Sequence, residues 1–141
     1  MKKLYFLLII TFVFSANAHI VNIPDANFKA KLLSASASNQ VASTIAAPAD
    51  LEAFSYFFSP IDSNNDGEIQ ISEAQAIKWL NISNSNISDL TGIEEFTNLY
   101  HINCSSNQIL NIDFSSINNL EIINSSNNQI QNMVLPLNVW V

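Results

Sequence analysis

Three blocks in the second half of the chain share one apolar pattern: Ile77-x-x-Leu80-x-Ile82, Leu99-x-x-Ile102-x-Cys104 and Leu120-x-x-Ile123-x-Ser125. The second and third run on to Asn107-x-Ile109 and Asn128-x-Ile130, and the first to Ser85-x-Ile87. Their starts lie 22 and then 21 residues apart, a period at which each unit supplies one short strand and a return segment. A unit of that size cannot bury its own apolar side. Stacked units share a core and present a ribbon of parallel strands to solvent. Such a ribbon points to recognition rather than chemistry.

Between the blocks a second apolar rhythm, Ile87, Leu90, Ile93, Phe96 and Leu99, then Ile109, Ile112, Phe114, Ile117 and Leu120, predicts return turns that seal the core. Cys104 occupies an inward position equivalent to Ile82 and Ser125. As the chain's single cysteine it reads as a small buried apolar residue rather than a reactive thiol. Asn107 and Asn128 are expected to bind backbone groups in the turn after each strand, satisfying donors that burial would otherwise strand. Outward positions align in columns: Trp79, His101 and Ile122; Asn81, Asn103 and Asn124; Ser83, Ser105 and Ser126. Lys78, Tyr100 and Glu121 fall at the edge. The Asn column reads either as a ladder of mutually bonded amides or as a ligand surface. Trp79, Tyr100 and His101 are candidate anchors for a protein or sugar, unless the N-terminal helices cover Trp79.

Upstream, Asp62-Ser63-Asn64-Asn65-Asp66-Gly67-Glu68-Ile69-Gln70-Ile71-Ser72-Glu73 follows the twelve-residue EF-hand loop at each diagnostic position. Asp62, Asn64 and Asp66 offer side-chain oxygens, and Glu68 offers its carbonyl. Gln70 would act through water and Glu73 as a bidentate carboxylate. Gly67 allows the sharp turn. A plain Asn-Asp-Gly turn explains Asp66-Gly67 but not Glu73 at that distance. The expected ion is Ca²⁺, held as a brace rather than a trigger, because no second loop is present to pair with. Pro60 interrupts the entering helix, and Ser72 with Gln75 reads as a capping box for an exiting helix from Glu73 to Ile77.

The remaining sequence divides simply. Residues 1–18 read as a signal peptide, with Lys2 and Lys3, an apolar run too short to span a bilayer, and Ala16-Asn17-Ala18. Its removal would leave three lysines, no arginine and twelve acids, a net charge of −9. That charge argues against nucleic acid and anionic membranes as partners. Residues 19–61 form a helical cap. Its first helix starts with Pro24 and Asp25 in its first turn and buries Phe28, Leu32 and Leu33. A Ser/Ala-rich loop follows over residues 34–47, and a second helix runs from Ala49 to about Ser59. The calcium loop and exiting helix take residues 62–76, and about three repeats take residues 77–141. The fold class expected is α+β: a short helical cap with an EF-hand-like loop, then a small leucine-rich-repeat solenoid with a parallel strand face. The last repeat should expose an apolar edge, as in a truncated chain or one covered by a homotypic contact.

Taken with the loop, the segments Ile23-Pro24-Asp25-Ala26-Asn27-Phe28 and Ile102-Asn103-Cys104-Ser105-Ser106-Asn107-Gln108-Ile109 resemble internalin-like leucine-rich-repeat proteins secreted by bacteria of the Bacteroidetes type. The resemblance covers most of the chain beyond residue 18 except residues 34–59. It implies a non-catalytic, secreted or cell-surface protein used in adhesion or recognition. His19 and His101 lack an evident nucleophile or carboxylate partner, and two glycines are too few for a phosphate cradle, so an enzyme is not expected. The two functions to weigh are a recognition module that binds a protein or glycan through its strand face, and a calcium-stabilised cap or spacer with no binding of its own.

Overall fold

The computed structural model describes residues 19–46 and 57–137; the signal-peptide reading and most of the predicted second helix lie outside them. The fold is α+β, with few helices and a mixed sheet dominated by parallel pairing. In chain order the elements are α1 (Ala26–Leu33), β1 (Ala42–Ser43), α2 (Ile71–Ala76), β2 (Trp79–Asn81), a 3₁₀ turn (Ile93–Glu95), β3 (His101–Asn103), β4 (Asn111–Asp113), β5 (Ile122–Asn124) and β6 (Asn132–Val134).

The main sheet runs β1-β2-β3-β5, and β4 pairs with β6 in a second sheet. Strands β2, β3 and β5 are parallel and in one register: Trp79 opposite His101 opposite Ile122, Leu80 opposite Ile102 opposite Ile123, and Asn81 opposite Asn103 opposite Asn124. The spacing read from the sequence is therefore the pairing register. Backbone bonds extend the ladder past the strands, from Ile82 N to Asn103 O (2.8 Å) and from Cys104 N to Asn124 O (2.8 Å). At the same step in each turn, Asn84, Ser106 and Asn127 take φ of 51°, 56° and 56°. Asn tolerates this left-handed conformation better than most residues.

One core cluster joins the inner side of the main sheet to the return segments and to Phe28 and Leu32 of α1. Leu80, Ile82, Leu99, Ile102 and Cys104 are fully buried, as are Ile87, Phe96, Ile109, Phe114 and Ile117 from the return segments. Burial drives the Cys104 thiol up to a pKa of about 11, so it packs as an apolar group. The third-turn counterparts of Ile102 and Cys104, Ile123 and Ser125, are only half-buried, and Ile122, Met133 and Val134 are exposed.

The N-terminal part differs from expectation in four places. Asp25 is the N-cap of α1 rather than part of its first turn; its Oδ1 accepts the Asn27 and Phe28 amides, both at 2.9 Å. The segment expected to be a loop over residues 34–47 contributes β1, which pairs antiparallel with β2 and buries Val41, Ala42 and Ser43. At the end of the predicted second helix, Phe58 is extended and bridges to Ser43, while Ser59 N donates to Ala42 O at 3.1 Å. Finally, α2 starts at Ile71 with Gln70 as its cap: the Gln70 amide donates to Glu73 Oε2 at 3.0 Å, so Gln70 and Glu73, not Ser72 and Gln75, mark this helix start.

Residues 19–23 cross the same end of the core. Val21 N donates to Ile69 O and Ile71 N to His19 O, both at 2.8 Å. This segment passes so close to Gly92 (φ 102°) that a Cβ there would lie 2.8 Å from Asn22 O.

Candidate functional site

The sequence singles out two groups of residues. The first is the strand face. Trp79 and His101 are neighbours across the β2–β3 pair, with ring centroids 5.5 Å apart in an edge-on arrangement. Phe58, from the segment that bridges to β1, packs on the other side of Trp79 at 5.4 Å. Among the described residues, what flanks Trp79 on that side is a bridging extended segment, and Trp79 keeps intermediate exposure. Burial lowers the pKa of His101, which favours a neutral imidazole at pH 7. The neighbouring Glu121 carboxylate raises the Tyr100 pKa. Both lie at the mouth of a shallow cavity of about 330 Å³ that also takes in Lys78 and Asn98.

The Asn column is real, but its amides do not bond to one another. Each side-chain oxygen turns to the serine two residues on. Asn81 Oδ1 accepts Ser83 N (3.1 Å) and Oγ (2.7 Å), Asn103 Oδ1 accepts Ser105 N (3.1 Å) and Oγ (2.7 Å), and Asn124 Oδ1 accepts Ser126 N (3.2 Å) and Oγ (2.8 Å). These are local Asx turns, and they correct the reading of a side-chain ladder. Asp89 with Thr91 and Asp113 with Ser115 repeat the device in the return segments. The signal was present in the sequence as Asn/Asp-x-Ser/Thr at each strand end.

Asn107 and Asn128 serve the backbone, and they do so across turns. Asn107 Oδ1 accepts Ser85 N and Ile87 N of the preceding turn. Its Nδ2 donates to Ile82 O of that turn and to Cys104 O of its own. Asn128 repeats this, accepting from Ile109 N and donating to Cys104 O and Ser125 O.

The second group is the acidic loop. Asn65 (φ 60°) and Gly67 (φ 82°) take the left-handed conformations that a tight loop requires. Asp62 accepts from Asp66 N at 3.1 Å and Gly67 N at 2.9 Å, closing the turn. Asn64, Asp66 and Gln70 meet at one point: Asn64 Nδ2 donates to Asp66 Oδ2 (3.1 Å) and Gln70 Oε1 (2.9 Å), and Gln70 Nε2 donates to Asp66 Oδ2 (2.8 Å). Glu73 is buried, and its Oε1 accepts Ser63 N and Oγ at 2.8 Å while Oε2 takes the Gln70 amide. The carboxylate of Glu68 pairs with Lys29 of α1 at 2.6 Å. Among the described residues, no three His, Cys, Asp or Glu side chains gather as a metal site.

The donor set nonetheless fits a hard cation in kind. Three of the six expected ligands already converge, and a half-turn of the Asn64 amide, which gives up its bond from Asp66 N (2.9 Å), exchanges a nitrogen for an oxygen at the same point. Neighbouring acids that share one short loop also gain from a counter-charge.

No protein-family model matches the chain, and no curated protein matches it. Among solved structures, the chain is similar to Clostridium perfringens ZmpB, in a structure of its second CBM51 module in complex with GlcNAc and of its INT domains. The TM-score is 0.48 at 21% identity, over 74% of this chain and 17% of that one. No helix among the described residues is long and apolar enough to cross a membrane.

Proposed function

We propose that the chain is a secreted or cell-surface recognition module of internalin-like, leucine-rich-repeat type, which binds a protein or glycan through the face of β2, β3 and β5. The observation that supports this most is the shared register. It sets Trp79 beside His101 and aligns Asn81, Asn103 and Asn124 across three strands. A non-catalytic role fits the same face, where His101 contacts an aromatic ring rather than a nucleophile. In this reading the stacked turns are a short solenoid. The loop of Asp62, Asn64, Asp66, Glu68, Gln70 and Glu73 holds Ca²⁺, which supplies the positive charge that joins the helical cap to the first turn.

Two measurements test the two halves of this reading. Titration calorimetry with calcium should show one site in the weak extracellular range, on the order of 10⁻⁴ to 10⁻³ M or somewhat tighter. Glu73→Gln should abolish the thermal stabilisation that calcium gives; no heat at millimolar calcium removes the metal from the account. For the face, a Trp79→Ala, Tyr100→Ala, His101→Ala triple variant should lose adhesion that the parent shows to a host-cell or glycan surface. Undiminished adhesion would leave a calcium-stabilised spacer as the better description.

A further inference from the structure

On the strand face, the unspent hydrogen-bonding capacity is the same in every turn. In Asn81, Asn103 and Asn124 the side-chain oxygen is committed to its own serine, so the carboxamide cannot rotate without breaking two bonds. Its Nδ2 group has no partner among the described residues. Three identical N–H₂ donors are therefore fixed in a row across the strands. Adjacent strands lie about 4.8 Å apart, close to the length of one pyranose residue in an extended chain. Rigid donors of this kind lose little entropy when an acceptor arrives.

The surroundings narrow the acceptor. Between the Trp79–His101–Ile122 column and the Ser83–Ser105–Ser126 column there is no carboxylate, lysine or arginine, although the whole chain carries a formal charge of −7. An anionic polymer would meet net repulsion and no compensating cation there. A folded protein presents a surface whose chemistry changes from residue to residue. An uncharged homopolymer presents the same hydroxyl or ring oxygen at every step. Beside the donor row stands the column that holds the Trp79 and His101 rings, and aromatic side chains are groups against which the C–H side of a sugar packs.

From this juxtaposition we infer that the face takes a neutral polysaccharide, lying across β2, β3 and β5 with successive sugars accepting from Asn81, Asn103 and Asn124. The inference deepens the proposed function and rests on it. Three turns span roughly 10 Å between outer strands, so a chain of at least three sugars is needed to engage all three donors.

Affinity electrophoresis of the full chain through gels containing a β-glucan, a xylan or a mannan tests this, with alginate and polygalacturonate as anionic controls. At least one neutral polymer should retard the protein and the anionic ones should not. In competition, a tetrasaccharide of the retarding polymer should outperform its disaccharide by at least about tenfold. Asn103→Asp keeps the oxygen that Ser105 needs but replaces the donor with an acceptor. It should weaken binding at least about tenfold with an unchanged melting temperature. Asn103→Ala should weaken binding too, which separates loss of the donor from the added charge; Asn124→Asp, on an exposed strand, serves if either variant folds poorly. Retardation by none of the neutral polymers, by anionic ones equally, or undiminished in Asn103→Asp overturns the inference. If adhesion to a protein surface then still depends on Trp79, Tyr100 and His101, the broader proposal survives alone; if that also fails, both fall.

Discussion

Asp25 shows how one carboxylate joins two parts of the molecule. Its Oδ1 caps α1, while its Oδ2 accepts Ser88 N and Oγ at 2.9 Å and Asp89 N at 3.1 Å. Burial by itself would raise its pKa, but the bonds from Ser88, Phe28 and Asp89 outweigh that and hold the carboxyl below its ordinary value of 3.8. A carboxylate with a depressed folded pKa stabilises the native state above its unfolded pKa. That contribution fades as pH falls through the folded value. Asp25→Ala is therefore expected to cost about 2 kcal/mol at pH 7. The gap between variant and parent should begin to narrow as pH drops below 3.8 and go on narrowing through the lower folded value, as read from urea unfolding curves at successively lower pH. A gap that stays constant down to the lowest pH at which the parent is folded would mean that the Asp25 bonds are not what the variant loses.

At the scale of elements, the extended residues 19–23 pass close against Gly92, the residue that caps the 3₁₀ turn. Gly92 is needed there twice over, for its φ of 102° and for the 2.8 Å that a Cβ would leave to Asn22 O. Gly92→Ala should cost about 2 kcal/mol or more in chemical denaturation. Gly67, whose φ is 82° but which has nothing within 4 Å, should tolerate the same change with only the conformational penalty. The repeats were legible because a 21- to 22-residue apolar period and an outward alternation leave one register for the strands. The loop over residues 62–73 was legible in its turns, since Gly67 sits where a positive φ is needed. What escaped was short and non-periodic. Two residues of β1 in a Ser/Ala-rich stretch carry no alternation to detect. The helix start at Ile71 competed with a second capping pattern two residues further on. The Asn column was placed correctly, yet its bonding was not, because an Asn facing a Ser two residues on closes locally before it can reach a neighbouring strand.

Across the whole molecule, each turn is completed by the one after it. Asn107 satisfies the Ser85 and Ile87 amides of the first turn, and Asn128 the Ile109 amide of the second. Among the described residues, no asparagine of a following turn reaches Ile130. Amide hydrogen exchange should accordingly be slowest for Ile87, intermediate for Ile109 and fastest for Ile130. Asn128→Ala should speed exchange at Ile109 while leaving Ile87 slow; equal acceleration at all three would mean that the stack opens as one unit.

That arrangement gives the molecule an arrow. A carboxamide that reaches backward but never forward makes the stack resemble a staircase in which every tread is nailed down by the next. Damage should therefore run back along the stack: a fault in the third turn loosens the second before the first notices.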